Sequence, residues 1–207
     1  MTAASPPTDA SVRAASSPLL TPGTQAAPLV DVLGVNALLY VQWDAAERHR
    51  RERTGAGALD RMSDLNVLQG LPAGCPIPLA AMSRSERLAV RRLPRGAVQQ
   101  VGENVVRLAV RPLRLDLAVV RATGWRRGLE AAGRFAPFGR RALLLDRRPR
   151  DADEMMLEAA FYGIGILIKD EDGLELAVAP REYRPARHTV AAWRFEEMLY
   201  RRLIAAA

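Results

Sequence analysis

Clustered arginines are the residues of this sequence whose type and spacing most clearly suggest a chemistry. Arg84, Arg87, Arg91 and Arg92 lie within nine positions, and guanidinium groups bind phosphate through a planar fork of donors. The segment from Arg84 to Arg150 holds seventeen arginines against five acids, a net charge of +12, although the whole chain carries only +7. A concentrated positive charge favours a polyanionic partner. The sequence therefore predicts binding of nucleic acid, the alternative being that these arginines form a solvated surface.

The other reactive side chains lack partners. Cys75 is the only cysteine, which excludes an internal disulfide and a cysteine zinc site and favours a reducing compartment. His49 has no second histidine at metal-ligand spacing, which favours an ordinary surface residue. His188 has no nucleophile and carboxylate partner in the sequence, so a catalytic triad is not indicated.

Composition sets the class of protein. Hydrophobic residues make up 49% of the 207 positions, which is enough for one folded domain with a core. Residues 1–28 are rich in Ala, Ser, Thr and Pro, which predicts a disordered tail and no signal peptide. No run of about 18 apolar residues occurs. We expect a soluble, cytoplasmic protein without a membrane partner.

Residues 29–96 are predicted to form an N-terminal helical region. Apolar residues recur at helical spacing between Leu29 and Arg53, and that stretch ends in a charged run before Gly55. Residues 55–82 are rich in Gly and Pro and are expected to be loop, with at most a short helix around residues 58–65. Ser83 with Glu86 forms a capping-box signature that opens a short helix ending before Pro94.

Residues 97–207 are predicted to form an α/β core with a C-terminal helix. Three short β-prone runs, separated by turn residues, predict a three-strand meander. The elements expected after it are a helix, a strand, a helix, a strand hairpin and a last helix. Their predicted ranges are Gly124–Phe135, Arg141–Asp146, Asp151–Tyr162, Ile164–Lys169 with Leu174–Val178, and Thr189–Ile204.

Several short motifs stand within that order. Gly124-Trp125-Arg126-Arg127-Gly128-Leu129 opens the first helix, and Arg134-Phe135 follows. Ala142 to Leu145 supplies a buried strand, and Gly163-Ile164-Gly165-Ile166-Leu167 precedes the acidic turn at Asp170 to Gly173. Over roughly residues 97–180 the sequence resembles the restriction-endonuclease-like fold, the PD-(D/E)XK nuclease superfamily. The resemblance implies a restriction-endonuclease-like α/β core.

The sequence departs from that superfamily at its catalytic motif. The positions of the E-x-K motif fall on Val119, Val120 and Arg121, and Asp116 is the only acid on the expected strand. Such nucleases need carboxylates around a divalent ion, and an arginine cannot accept a proton as a lysine can. The resemblance then implies a catalytically inactive protein without a cofactor that binds DNA without sequence preference, in repair, recombination or defence. The contacts predicted are Arg84, Arg87, Arg91, Arg92, Arg121, Arg126, Arg127 and Arg134.

Two alternatives stay open. In some members of the superfamily the following helix supplies the strand glutamate, so Asp116 and Glu130, with Glu103, would hold Mg²⁺ while Arg121 binds the phosphate. The protein would then be an active metal-dependent DNA nuclease. The second alternative is a non-enzymatic interaction module, whose basic face binds an acidic protein and whose C-terminal helix forms a homodimer.

Overall fold

The chain divides into two compact units in a computed structural model, which describes residues 9–27, 30–169 and 173–205. The first unit comprises Met1–Gln42 and Leu115–Pro185, and the second comprises Trp43–Arg114 and Ala186–Ala207. The units therefore alternate along the chain and do not divide at residue 96. Among the described residues, no helix is both long and apolar enough to cross a membrane.

The secondary structure is mixed α/β. The helices are α1 Asp9–Ser16, α2 Ala45–Thr54, α3 Met62–Gly70, α4 Arg84–Arg91, α5 Trp125–Gly133, α6 Ala152–Tyr162 and α7 Val190–Ala205. The strands are β1 Gln25–Ala26, β2 Val30–Val32, β3 Val35–Trp43, β4 Pro76–Pro78, β5 Val98–Val101, β6 Asn104–Arg107, β7 Leu113–Arg121, β8 Arg140–Leu145, β9 Gly165–Lys169 and β10 Leu174–Val178.

A mixed sheet of seven strands forms the centre of the first unit. Its order is β1-β3-β7-β8-β9-β10, with β2 paired to β3. Strands β7, β8 and β9 are parallel, and α5 and α6 make the two crossovers between them. Strand β10 returns antiparallel to β9. These elements confirm the helices and strands predicted between Gly124 and Val178, while the turn at residues 170–172 lies outside the described residues.

Strand β3 corrects the helix predicted from Leu29 to Arg53. Residues 37–41 are buried without interruption, and the strand lies between β1 and β7 inside the sheet. A central strand is covered on both faces, so its apolar residues run consecutively and also satisfy a helical spacing by chance. Only the charged end of that stretch is helical, as α2, where the Asp44 side chain accepts a hydrogen bond from the Glu47 backbone nitrogen.

The predicted three-strand meander is wrong in its pairing. Strands β5 and β6 form a hairpin through Gly102, but their sheet has the order β4-β6-β5 and lies in the second unit. Only β7 joins the large sheet. The third strand of the small sheet, β4, carries Pro76 and Pro78 and occupies an edge, where a strand tolerates missing amide donors. Its three residues gave no sequence signal within the predicted loop.

Residues 9–27 are not a disordered tail. Helix α1 buries Val12 in a core with Leu38, Tyr40 and Leu117 of the sheet. Beyond it, Thr24 is also buried. The polar composition of this stretch hid one well-placed apolar residue, whose burial stabilises the short helix where its own propensity would not. The first eight residues of the predicted tail lie outside the described residues.

Helix α7 belongs to the core of the second unit. Trp193, Leu199 and Leu203 are buried, and Trp193 packs with Leu65 and Leu68 of α3. Side chains that are buried in the folded chain are not available to a partner. The dimer contact that the interaction-module alternative assigned to this helix therefore cannot use these three residues.

Candidate nucleic-acid interface

Helix α4 is fixed at both its start and its inner face. Ser83 accepts a hydrogen bond from the Glu86 backbone nitrogen, and the Glu86 carboxylate accepts one from the Ser83 backbone nitrogen, which is a complete capping box. Hydrogen bonds from Ser83 lower the pKa of the Glu86 carboxyl. On the inner face Val90 is buried against Met82 and Val105. The predicted capped helix is confirmed, and it is a rigid support for its outer side chains.

The outer face of α4 is basic. Arg84, Arg87 and Arg91 follow one another at helical spacing, and Arg92 stands at the C-cap. Arg84, Arg91 and Arg92 are exposed and make no side-chain hydrogen bond or ion pair with any residue that the structure describes. Leu88 lies among them with 43% of its surface exposed. Three cations and one leucine thus face solvent from a single short helix.

Arg87 has a different role from its neighbours. Its guanidinium donates to the backbone oxygens of Leu79 (3.2 Å) and Met82 (2.7 Å). These bonds close the turn that precedes α4. Arg87 is partly covered, so it supports the helix more than it extends the basic face.

Most of the arginines around α5 that were predicted as DNA contacts already have partners within the protein. Arg121 pairs with Asp146 (2.7 Å). Arg126 pairs with Asp151 (3.1 Å) and Glu154 (2.7 Å) and lies over the Trp125 ring. The ion pair with Glu154 raises the pKa of Arg126. Nearby acids therefore neutralise the charge that these side chains would offer to a phosphate.

The two remaining arginines of α5 differ from each other. Arg134 donates to the backbone oxygen of Leu33 (3.0 Å), which anchors the β2–β3 turn. Arg127 is exposed and has no such partner in the described part of the chain. Of the eight arginines predicted as contacts, four have guanidinium groups without a partner among the residues that the structure describes: Arg84, Arg91, Arg92 and Arg127.

Both carboxylate oxygens of Asp116 accept hydrogen bonds within the first unit. The backbone nitrogen of Thr21 donates to Oδ2 (2.8 Å), the Thr21 hydroxyl to Oδ1 (3.1 Å) and the Thr24 hydroxyl to Oδ2 (3.0 Å), and Arg140 also donates to Oδ1. Burial opposes ionisation, but these hydrogen bonds and the Arg140 charge lower the pKa of Asp116 overall. The carboxylate thus links β7 to the segment before β1 by hydrogen bonds, and its role is to stabilise the fold.

The other residues of the hypothetical metal site are dispersed. Val119 and Val120 are buried in the sheet. Glu130 is exposed on α5, and Glu103 lies in the β5–β6 turn of the second unit. Within the described ranges, no three His, Cys, Asp or Glu side chains are grouped as metal ligands. The structure does not gather Asp116, Glu130 and Glu103 into one ligand set.

A buried ionic network in the second unit was missed by sequence reasoning. Arg51 donates through Nε to Glu47 (2.6 Å) and through both Nη atoms to Glu197 (2.7 Å each). Although burial opposes its charge, Glu197 and Glu47 raise the pKa of Arg51. Glu197 also accepts from the Trp193 indole nitrogen (2.9 Å) and the Leu59 backbone nitrogen (3.0 Å). The i,i+4 pair Glu47–Arg51 was visible in the sequence, but its partner 146 residues away was not.

The comparisons with known proteins give no family. No family model, no curated protein and no solved structure matches this chain.

Proposed function

We propose that this chain is a catalytically inactive, nuclease-like protein that binds DNA without strong sequence preference. The observation that carries the proposal is the basic face of α4, where Arg84, Arg91 and Arg92 are exposed and unpaired among the described residues. A free guanidinium on a rigid helix can displace counterions from a phosphate backbone without first breaking an internal ion pair. Arg126, in contrast, is already paired with Asp151 and Glu154.

The nuclease-like part of the proposal is supported by the order of elements in the first unit. The elements follow one another along the chain in the order β7, α5, β8, α6 and β9, so two helices link three parallel strands. In the sheet, β3 lies beside β7. This arrangement is compatible with the superfamily that the motifs resemble, although such crossovers occur in many α/β folds. We infer inactivity from Val119, which offers no ligand, and from Asp116, whose oxygens already accept four hydrogen bonds from Thr21, Thr24 and Arg140.

Binding is tested by fluorescence anisotropy with a labelled DNA duplex at low salt. We expect the variant with Arg84→Gln, Arg91→Gln and Arg92→Gln to bind about tenfold or more weakly. The matched control carries Arg126→Gln, Arg148→Gln and Arg201→Gln, which removes the same charge from arginines already in ion pairs. Absence of wild-type binding would overturn the proposal, and an equal loss in the control would show that α4 is not the contact surface.

Catalysis is tested separately. We expect no cleavage of duplex or single-stranded DNA by the purified protein with Mg²⁺ or Mn²⁺, because the strand position that should supply a ligand is a buried valine. The measurement is a gel assay on supercoiled plasmid and on linear oligonucleotides. Metal-dependent cutting that Asp116→Ala or Glu130→Gln abolishes would establish the active-nuclease alternative.

A further inference from the structure

We propose that α4 lies in the major groove of B-form duplex DNA, with Leu88 contacting the methyl groups of thymine. This inference rests on the proposed DNA binding and specifies its mode. It adds a contact with the bases to the contacts that the arginines make with the phosphates. The observation that motivates it is Leu88, a leucine that is 43% exposed among guanidinium groups.

The size and composition of the helix fit that groove. An α-helix with its side chains is about 10–12 Å across, and the major groove of B-DNA is about 12 Å wide. Arg84 and Arg91 stand one turn before and after Leu88, and Arg92 stands at the C-terminal end of the helix. A helix inserted by this face would bring Leu88 to the base edges while the arginines contact the phosphates that line the groove.

Other nucleic acids suit this surface less well. A-form RNA has a deep and narrow major groove that side chains cannot read. Proteins that bind single strands use exposed aromatic side chains as stacking platforms. The sequence contains no Phe, Trp or Tyr between Trp43 and Trp125, so neither α4 nor the sheet of β4, β5 and β6 offers such a platform. Duplex DNA is the polyanion that this helix fits.

The thymine contact follows from the chemistry of the groove. The C5 methyl of thymine is the apolar group that base pairs present in the major groove, and apolar side chains contact it there. An exposed leucine on the leading face of a groove-binding helix has no other apolar partner among the bases. Uracil lacks this methyl group and otherwise presents the same edge. Replacing thymine by uracil therefore changes the proposed contact selectively.

The test compares two alternating duplexes, poly(dA-dT) and poly(dA-dU), in which every binding register offers the same edge. We expect the wild-type protein to bind the thymine duplex about fourfold more tightly, which corresponds to about 0.8 kcal/mol for one buried methyl group. In Leu88→Ala the ratio should fall to about one. The control is Leu157→Ala, which removes a leucine of α6 that is 75% exposed and lies in the first unit and should keep the ratio of the wild type.

The outcomes separate this inference from the proposed function. Equal affinity for both duplexes, weakened by the substitutions at Arg84, Arg91 and Arg92, would overturn groove insertion and leave DNA binding standing. Equal affinity for duplex RNA and duplex DNA of one sequence would also overturn groove insertion. A preference for thymine that persists in Leu88→Ala would assign the methyl contact elsewhere. Failure to bind any nucleic acid at low salt would remove both proposals.

Discussion

Glu196 is a buried carboxyl of the second unit whose pKa is strongly raised. It is buried, it accepts one hydrogen bond from Arg111 (3.3 Å), and its Oε2 has no hydrogen-bond partner among the described residues. Burial raises the pKa of this carboxyl to about 8; Arg111 and Arg114 oppose the rise, and neighbouring Glu197 adds to it. The side chain is thus mainly neutral at neutral pH.

This pKa predicts a stability that falls as the pH rises from about 4.5 to about 8. Because the folded-state pKa of about 8 exceeds the ordinary value of 4.5, the folded state holds a proton that the unfolded state has released. The free energy of unfolding should therefore fall as pH rises from 4.5 to 8, by at most about 1.4 kcal/mol per pH unit. Glu196→Gln cannot ionise and keeps a carbonyl acceptor for Arg111. Urea denaturation should show this variant matching the wild type at pH 5 and exceeding it at pH 9; parallel profiles would contradict the assignment.

Sequence reasoning identified the arginine cluster of the candidate interface but not which of its members are unpaired among the described residues. The cluster Arg84 to Arg92 could be recognised because its spacing is local. The partners that neutralise Arg121 and Arg126 lie about 25 residues away along the chain, and only the fold brings those acids opposite. Local spacing carries no information about such pairs, so the two sets of arginines looked equivalent in the sequence.

At the scale of elements, local signals were sufficient where the pattern was unambiguous. The capping box of α4, the face of α5 with Trp125 and Leu129, and the β9–β10 hairpin were all predictable. Strand β3 was not, because a run buried on both faces has no period of two. The sheet that the β5–β6 hairpin joins was not predictable either, since a hairpin does not specify its further neighbours.

Helix α1 provides the element-scale prediction. Its Val12 is buried in the sheet core, and the adjacent Arg13 is exposed. Val12→Ala should lower the free energy of unfolding by about 1–3 kcal/mol through lost burial and a cavity. The matched substitution Arg13→Ala should change it by less than about 0.5 kcal/mol. Chemical denaturation measures both, and a Val12→Ala variant as stable as the wild type would mean that α1 does not pack.

At the scale of the whole molecule, the chain alternates between its units. The segment Trp43–Arg114 belongs to the second unit, and the chain returns to the first unit within β7. The sequence analysis predicted a boundary between residues 96 and 97, which places β3 and β7 in different regions although they are neighbours in one sheet. Contacts between segments so far apart leave no composition shift at a boundary, so sequence alone did not reveal them.

The distribution of charge is the whole-molecule property most relevant to function. The segment from Arg84 to Arg150 carries +12, which exceeds the net charge of +7 for the full chain. Five of its seventeen arginines form ion pairs among the described residues, namely Arg111, Arg121, Arg126, Arg140 and Arg148. Counterions are released by the guanidinium groups that contact phosphates. The salt dependence of DNA affinity therefore counts the arginines that contact phosphate, irrespective of total charge.

The most direct test is the slope of log affinity against log salt concentration for a DNA duplex. Each phosphate contact contributes about 0.9 to the magnitude of that slope. We predict that Arg84→Gln, Arg91→Gln and Arg92→Gln together reduce it by about 2.7. The control with Arg126→Gln, Arg148→Gln and Arg201→Gln should keep the wild-type slope. An unchanged slope in the α4 variant, or an equal reduction in the control, would contradict binding through α4.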